Sequence, residues 1–234
     1  MNIGRAILIA TLLGLLSSAT VAADVQSGVA QALDRPEAMN RMGILYATGS
    51  GVPQDYVAAL AWYQRAAEKG STKAMNNIAT IYFHGLGVPQ SYEESVKWLR
   101  LAVKQGDAAA QNKLGSLYDA GLGVPKSAQD SFELFSLAAA QGYAPGMANL
   151  GRAYADGRGV QRDEIHGYAL ISAALKLGVP RAERDAALYE LGALSQRLDA
   201  KQIERAETDA RALLETRSKD LSASQVDAGD ALRL

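Results

Sequence analysis

The apolar side chains of this chain recur at helical spacing in short segments that end at glycine. From Ala38 to Tyr46, apolar residues stand three or four positions apart, and the segment ends at Gly49-Ser50-Gly51. A second apolar segment runs from Leu60 to Ala67 and ends at Gly70. This spacing predicts amphipathic helices, and glycine ends a helix because it adopts positive φ without steric cost. The pattern therefore predicts a pair of helices joined by a glycine-rich turn.

The helical pair repeats four times at a fixed offset of 36 residues. Glycine recurs in this register at Gly49, Gly85, Gly121 and Gly157, at Gly51, Gly87, Gly123 and Gly159, and at Gly70, Gly106, Gly142 and Gly178. The units are 36–71, 72–107, 108–143 and 144–179. A period of this length indicates a solenoid, in which each unit covers the apolar face of its neighbour. We therefore predict an all-α fold, a right-handed α/α superhelical solenoid of helix-turn-helix repeats.

Two further sets of residues follow the same register. The second helix of each unit is predicted to begin after an N-capping side chain, at Asp55, Ser91, Ser127 and Asp163. Small residues form two columns, which are Gly43, Ala79, Gly115 and Gly151 on the first helices and Ala66, Ala102, Ala138 and Ala174 on the second. Small side chains let helix axes approach closely. A larger residue in either column is expected to cost about 1–3 kcal/mol of overpacking.

The ends of the chain are predicted to serve targeting and capping. Residues 1–23 combine Arg5, an apolar run and a small-residue end at Ala23, which is typical of a secretory signal peptide. An uncleaved membrane anchor is the alternative. Residues 24–35 suit an N-terminal capping helix, residues 180–217 a C-terminal capping helical pair with Asp199 as an N-cap, and residues 218–234 a flexible tail. We expect a periplasmic location, with secretion as the alternative, and no membrane span after cleavage.

Composition adds little chemistry to this picture. The 24 Lys and Arg residues nearly balance the 25 Asp and Glu residues, so charge does not favour a nucleic-acid partner. The chain has no Cys and two histidines, His84 and His166, which we interpret as solvated rather than as metal ligands. No cofactor or metal site is predicted. Motifs of nucleophilic, phosphate-binding or zinc-dependent enzymes are absent from the sequence.

The repeat frame resembles the Sel-1-like repeat family of tetratricopeptide-type solenoids. The frame is A-x-x-x-(L/M/I)-(G/A)-x-(L/I)-Y-x-x-G-x-G-V-P, followed by (W/L)-x-x-x-A-(A/V)-x-(K/Q)-G. It is carried by residues 38–53 with 62–70, residues 74–89 with 98–106, and residues 110–125 with 134–142. The resemblance implies an exported bacterial protein that acts as an adaptor for other proteins, and it does not name the partner.

Polar columns on the first helices are the predicted binding site. In helical-pair solenoids the first helices line the concave face. The predicted groove residues are Asn40, Arg41, Asn76, Asn77, Asn112, Lys113, Asn149 and Arg152, with Ile44, Thr80 and Ser116 alongside. Asn can bond a peptide backbone, and Arg and Lys can hold a carboxylate. Alternatively, the Asn column bonds the backbone of the neighbouring repeat as a structural ladder.

These features predict a non-enzymatic adaptor or regulator of the bacterial cell envelope that binds a partner peptide or acidic loop on the concave face. The oligomeric state is left open. The alternative is binding or hydrolysis of peptidoglycan or exopolysaccharide, using Asp156, Asp163 or His84 with the tyrosine column. That column consists of Tyr46, Tyr82, Tyr118 and Tyr154, which we interpret first as packing residues.

Overall fold

The computed structural model describes residues 34–231, with side chains up to residue 216. In that part of the chain it contains ten α-helices and no strand. The helices are α1 (Pro36–Thr48), α2 (Tyr56–Glu68), α3 (Thr72–His84), α4 (Tyr92–Lys104), α5 (Ala108–Ala120), α6 (Ala128–Ala140), α7 (Ala144–Asp156), α8 (Glu164–Leu177), α9 (Arg181–Ser195) and α10 (Ala200–Ala231). Helices α1–α8 form four successive pairs in the 36-residue register, which confirms the predicted all-α solenoid.

The same kind of turn joins the two helices of each pair. The first glycine takes a left-handed conformation, as at Gly49 with φ 71°, and its amide bonds back into the helix. The side chain of the predicted N-cap then starts the next helix, and Asp55 accepts hydrogen bonds from two amides of α2 at 2.9 and 3.0 Å. The backbone amide of the N-cap residue also donates across the turn to the backbone carbonyl of the tyrosine in the same repeat. The amide of Asp55, for example, donates to the carbonyl of Tyr46 at 2.9 Å. All four predicted N-caps are confirmed.

Small residues lie where helices cross closely. The column Ala66, Ala102, Ala138 and Ala174 is fully buried. A Cβ on Gly115 would lie 2.8 Å from the Phe135 ring, and one on Gly151 would lie 2.8 Å from the Gly167 carbonyl oxygen. These distances are shorter than side chains tolerate, so the predicted close approach of the two helices in each pair is confirmed.

The repeats stack through the second turn glycine of the second, third and fourth units. A Cβ on Gly87 would lie 2.8 Å from Tyr56, and one on Gly123 would lie 2.5 Å from the carbonyl oxygen of Tyr92. Both neighbours stand at the start of the second helix in the preceding repeat. Glycine is therefore required at this position by packing as well as by its positive φ.

The C-terminal helices cover the last repeat. Helix α8 packs between α7 and α10, and this double coverage buries side chains all along it, including Ile171. Ser172 and Lys176 of α8 contact the Glu207 carboxylate of α10 at 2.8 and 2.6 Å. Helix α10 begins with the predicted Asp199 N-cap, which accepts from the Gln202 amide at 2.9 Å.

The prediction for the C-terminus is wrong in one respect, and most of the N-terminal prediction lies outside the described residues. Helix α10 continues to Ala231 rather than ending at Arg217, since proline is absent after Pro180 and nothing forces the helix to stop. The predicted signal peptide and residues 24–33 of the predicted capping helix lie outside the described residues. Within the described part of the chain, no helix is both long and apolar enough to cross a membrane.

Candidate partner-binding groove

Side-chain amides connect neighbouring repeats along the first helices. Asn77 Nδ2 donates to Asn40 Oδ1 at 3.0 Å, joining α3 to α1. Asn149 Nδ2 donates to Asn112 Oδ1 at 2.7 Å, joining α7 to α5. Asn40 and Asn112 are only 7% exposed. We call these contacts the Asn rungs. The ladder predicted as an alternative is therefore present, but its bonds run between side chains and not to the backbone.

The middle rung is missing because Lys113 stands where an asparagine would complete it. Asn76 Nδ2 donates to the Thr72 carbonyl and to Asp107 Oδ1, at 3.1 and 2.9 Å. Asn76 Oδ1 is buried and has no hydrogen-bond partner among the described residues. The Lys113 ammonium turns away and donates to Thr80 Oγ1 at 3.0 Å. The lysine thus leaves a buried acceptor unsatisfied, which ordinarily destabilises a fold.

A cavity of about 490 Å³ opens beside Lys113. Helices α3, α4, α5, α7 and α9 form its walls. Four of the predicted groove residues line it, namely Asn112, Lys113, Asn149 and Arg152, together with Thr80 and Ser116. The other four, Asn40, Arg41, Asn76 and Asn77, do not line it. Arg41 is exposed on α1, at the far end of the predicted groove. The structure therefore concentrates the predicted site in the second half of the solenoid.

Two cations face this cavity without an ion pair among the described residues. Burial lowers the pKa of Lys113, and the carboxylates of Asp107 and Glu183 oppose this shift. Lys113 is nevertheless an exposed residue, because the cavity is open to solvent. Burial likewise lowers the pKa of Arg152, and Glu190 is the strongest opposing charge. Arg152 Nε is buried and has no hydrogen-bond partner in the described part of the chain.

Sequence reasoning missed the residues that α9 and the apolar wall contribute. Glu183 of α9 lines the cavity, and Phe83 and Leu99 form apolar surface. Helix α9 lies outside the repeat register, so no periodic signal places it at the groove. His84 also lines the cavity, with its ring edge-on to Phe83 at 4.8 Å between centroids.

The two acids and the tyrosines of the glycan alternative serve local structure, whereas its His84 lines the cavity. Asp163 accepts from the His166 amide at 2.9 Å as an N-cap, and Asp156 lies 3.2 Å from the Arg158 guanidinium. The tyrosine column packs partly buried against the core, and Tyr154 contacts the Phe132 ring at 5.4 Å. Among the described residues, no three His, Asp or Glu side chains group together as metal ligands.

Comparison with known proteins agrees with this architecture. The profile of the Sel1 repeat matches residues 36–71, 72–107, 108–143 and 144–179. The protective antigen c5321 of uropathogenic Escherichia coli, a protein with an SLR fold, is 26% identical with a TM-score of 0.72. The match covers 95% of this chain and 46% of the E. coli protein, so this chain spans about half the length of that relative.

A second solved structure is similar over much of both chains. A Sel1 repeat protein from Oxalobacter formigenes is 28% identical with a TM-score of 0.65, and the match covers 78% of this chain and 72% of the other. A search of curated protein sequences finds no match. The four matched units coincide with the helical pairs, glycine turns and small-residue columns described above. The chain therefore belongs to the Sel1 repeat family.

Proposed function

We propose that this protein is a non-enzymatic adaptor of the bacterial cell envelope, which binds a peptide or acidic loop of a partner protein in the groove. Sel1 repeat proteins are generally scaffolds for protein interaction and typically lack catalytic activity. The observation that carries the proposal is the pair of cations, Lys113 and Arg152, that face the cavity and form no direct ion pair in the described part of the chain.

Unpaired, partly desolvated cations in a cavity favour an anionic group from outside. A carboxylate of the partner restores the electrostatic interactions that burial takes away, and charge-assisted hydrogen bonds are stronger than neutral ones. In each Asn rung, in contrast, the two asparagine side chains are already hydrogen-bonded to each other. The cavity and not the amide ladder is therefore the proposed contact point for the partner.

The location in the envelope rests on residues 1–23. Their order of Arg5, apolar run and small residues supports export, with cleavage after Ala23 and a periplasmic mature protein. Intact-mass measurement on protein purified from the producing cell tests this. A mass that starts at Asp24 supports export, and a mass that still includes residues 1–23 favours the membrane anchor.

Capture from envelope extract with charge-reversed baits tests the adaptor proposal. The groove variant is Lys113→Glu with Arg152→Glu, and the matched control is Lys201→Glu with Arg205→Glu on the exposed surface of α10. We expect one defined protein to bind the unchanged chain and the control but not the groove variant. Circular dichroism and melting curves verify that both variants fold.

Two outcomes contradict the proposal. A partner retained by the groove variant would place the contact elsewhere on the solenoid. Turnover of peptidoglycan or exopolysaccharide by the pure mature chain, lost in Asp156→Asn or Asp163→Asn, would make the protein an enzyme.

A further inference from the structure

We infer that the cavity binds a peptide segment that carries both a negative and a positive charge. Lys113 and Arg152 hold its carboxylate, Glu183 attracts its ammonium, and an aliphatic side chain connects the two charged groups. The inference rests on the proposed function and specifies the chemistry of the partner segment. It depends on three features of the cavity, which are a cationic wall, an acidic wall and the apolar surface between them.

The cationic wall has unused hydrogen-bond donors. The Lys113 ammonium carries three donors, and the structure assigns it one acceptor, Thr80 Oγ1 at 3.0 Å. The Arg152 guanidinium carries five donors, and none has an acceptor among the described residues. A carboxylate can accept from both side chains, and arginine can bind it through two parallel bonds.

The acidic wall makes a simple anion a poor fit. Glu183 lines the same cavity and acts electrostatically on both Lys113 and Arg152. It forms no ion pair in the described part of the chain, so its carboxylate stays available. A ligand with only a negative charge is repelled by Glu183, whereas an adjacent ammonium is attracted. A cavity that presents both signs of charge thus selects for a ligand with two charges of opposite sign.

The apolar surface determines what connects the two charges. Phe83, Leu99, Leu117 and Pro145 line the cavity together with the charged side chains. The volume of about 490 Å³ is in the range of small-ligand sites, large enough for a few peptide side chains. An aliphatic side chain between the charges would bury its surface here.

The missing Asn rung is an independent reason to regard Lys113 as a binding residue. Asn76 Oδ1 remains buried without a partner because Lys113 occupies the rung position. An unsatisfied buried acceptor destabilises the folded state, so packing alone does not favour lysine at this position. Residues kept against stability are characteristic of functional sites.

Titration calorimetry with short peptides tests the inference on the unchanged chain. The first probe is the capped tripeptide Ac-Glu-Leu-Lys-NH2, which carries both charges on side chains. The second is the dipeptide alanyl-leucine, which carries both charges on its termini. Ac-Glu-Leu-Gln-NH2 and Ac-Gln-Leu-Lys-NH2 are the single-charge analogues. Tighter binding of the capped tripeptide points to a loop of a partner protein, and tighter binding of the dipeptide points to peptide termini.

We expect at least one mixed-charge probe to bind at millimolar concentration or below, and its single-charge counterparts to bind roughly tenfold more weakly. Arg152→Gln should weaken the mixed-charge probe by a similar factor. Glu183→Gln should weaken the mixed-charge probe and strengthen Ac-Glu-Leu-Gln-NH2, because it removes the repulsive carboxylate. Glu204→Gln, exposed on α10, is the matched control and should change neither.

The opposite results overturn the inference. If Ac-Glu-Leu-Gln-NH2 binds as tightly as the mixed-charge probe, the cavity is a simple carboxylate site, and the adaptor proposal still stands. If no probe binds, or if Arg152→Gln changes nothing, the cavity does not recognise mixed-charge peptides. Capture with the charge-reversed baits then decides the adaptor proposal separately.

Discussion

Single asparagines in this protein differ in role according to the residue one repeat away. Asn40 and Asn112 meet an asparagine on the next first helix and form a rung. Asn76 meets Lys113 and keeps an unsatisfied oxygen. The same residue type at the same repeat position therefore joins two repeats in two places and keeps an unsatisfied oxygen in the third.

The substitution Lys113→Asn should complete the missing rung. We expect the free energy of unfolding to rise by about 1 kcal/mol, because a buried acceptor gains a donor. Binding of Ac-Glu-Leu-Lys-NH2 should fall in the same variant. Urea unfolding followed by circular dichroism measures the first effect. As a control, Asn77→Ala breaks an existing rung and should lower the free energy of unfolding. An unchanged or lower urea midpoint for Lys113→Asn would contradict the rung interpretation.

At the scale of helices, close approach and capping decide how pairs pack. The α7–α8 crossing is tight because Gly151 and Gly167 face each other's carbonyl oxygens, at 2.8 and 2.7 Å from the positions that a Cβ would take. Helix α10 is held to α8 by the fully buried Ala206 and Ala210 and by the Glu207 contacts.

Gly151→Ala should destabilise the protein by about 1–3 kcal/mol through overpacking against backbone that cannot move aside. The matched control is Gly192→Ala in α9, where no described atom beyond the adjoining backbone of its own helix lies within 4 Å of the added Cβ. That change should raise stability by up to about 1 kcal/mol, since alanine is the better helix former. Thermal unfolding of both variants measures the difference, and equal shifts would show that the crossing is not close-packed.

Acidification should weaken the attachment of α10. The hydrogen bond from Lys176 lowers the pKa of Glu207, helped by Ser172 and opposed by partial burial. Since the folded-state pKa lies below the unfolded one, Glu207 contributes its stability above the ordinary carboxyl range and loses it as pH falls through the lowered pKa. Glu207→Gln should flatten the acid limb of the melting temperature plotted against pH. Glu204→Gln, exposed on the same helix, should leave that limb as it is, and a similar limb in both variants would contradict the prediction.

At the scale of the whole molecule, the array depends on contacts between neighbouring repeats. In the second, third and fourth repeats the second turn glycine packs on the preceding unit, as Gly123 does on Tyr92. The C-terminal helices serve two purposes, because α10 covers α8 while α9 brings Glu183 to the cavity. Capping the solenoid and completing the cavity are therefore linked.

Gly123→Ala and Gly51→Ala separate stacking from backbone strain. Both glycines have positive φ, 69° and 80°, so both variants carry the strain of an L-residue there. Only Gly123 has a described neighbour within 4 Å of the added Cβ. Gly123→Ala should therefore cost about 1–3 kcal/mol more than Gly51→Ala in urea unfolding. Equal losses would mean that the turn does not carry the stacking contact.

The amino-acid sequence by itself determined the repeat units, the helix ends within them and the small-residue columns. These features are local or strictly periodic, since an N-cap such as Asp55 bonds amides two and three residues away and Gly49 needs only its own φ. Four of the eight predicted groove residues also line the cavity, because the repeat register already places them on one face.

Only the tertiary structure decided how those groove residues divide into rungs and cavity. Whether an amide pairs with its neighbour depends on a residue about 37 positions away and on the angle between repeats, as Asn77 with Asn40 shows. Glu183 reaches the cavity because α9 folds back across the last repeat, outside any periodic pattern. The helix pairs follow from local periodicity, but the charges that oppose each other across the cavity are brought together by long-range packing alone.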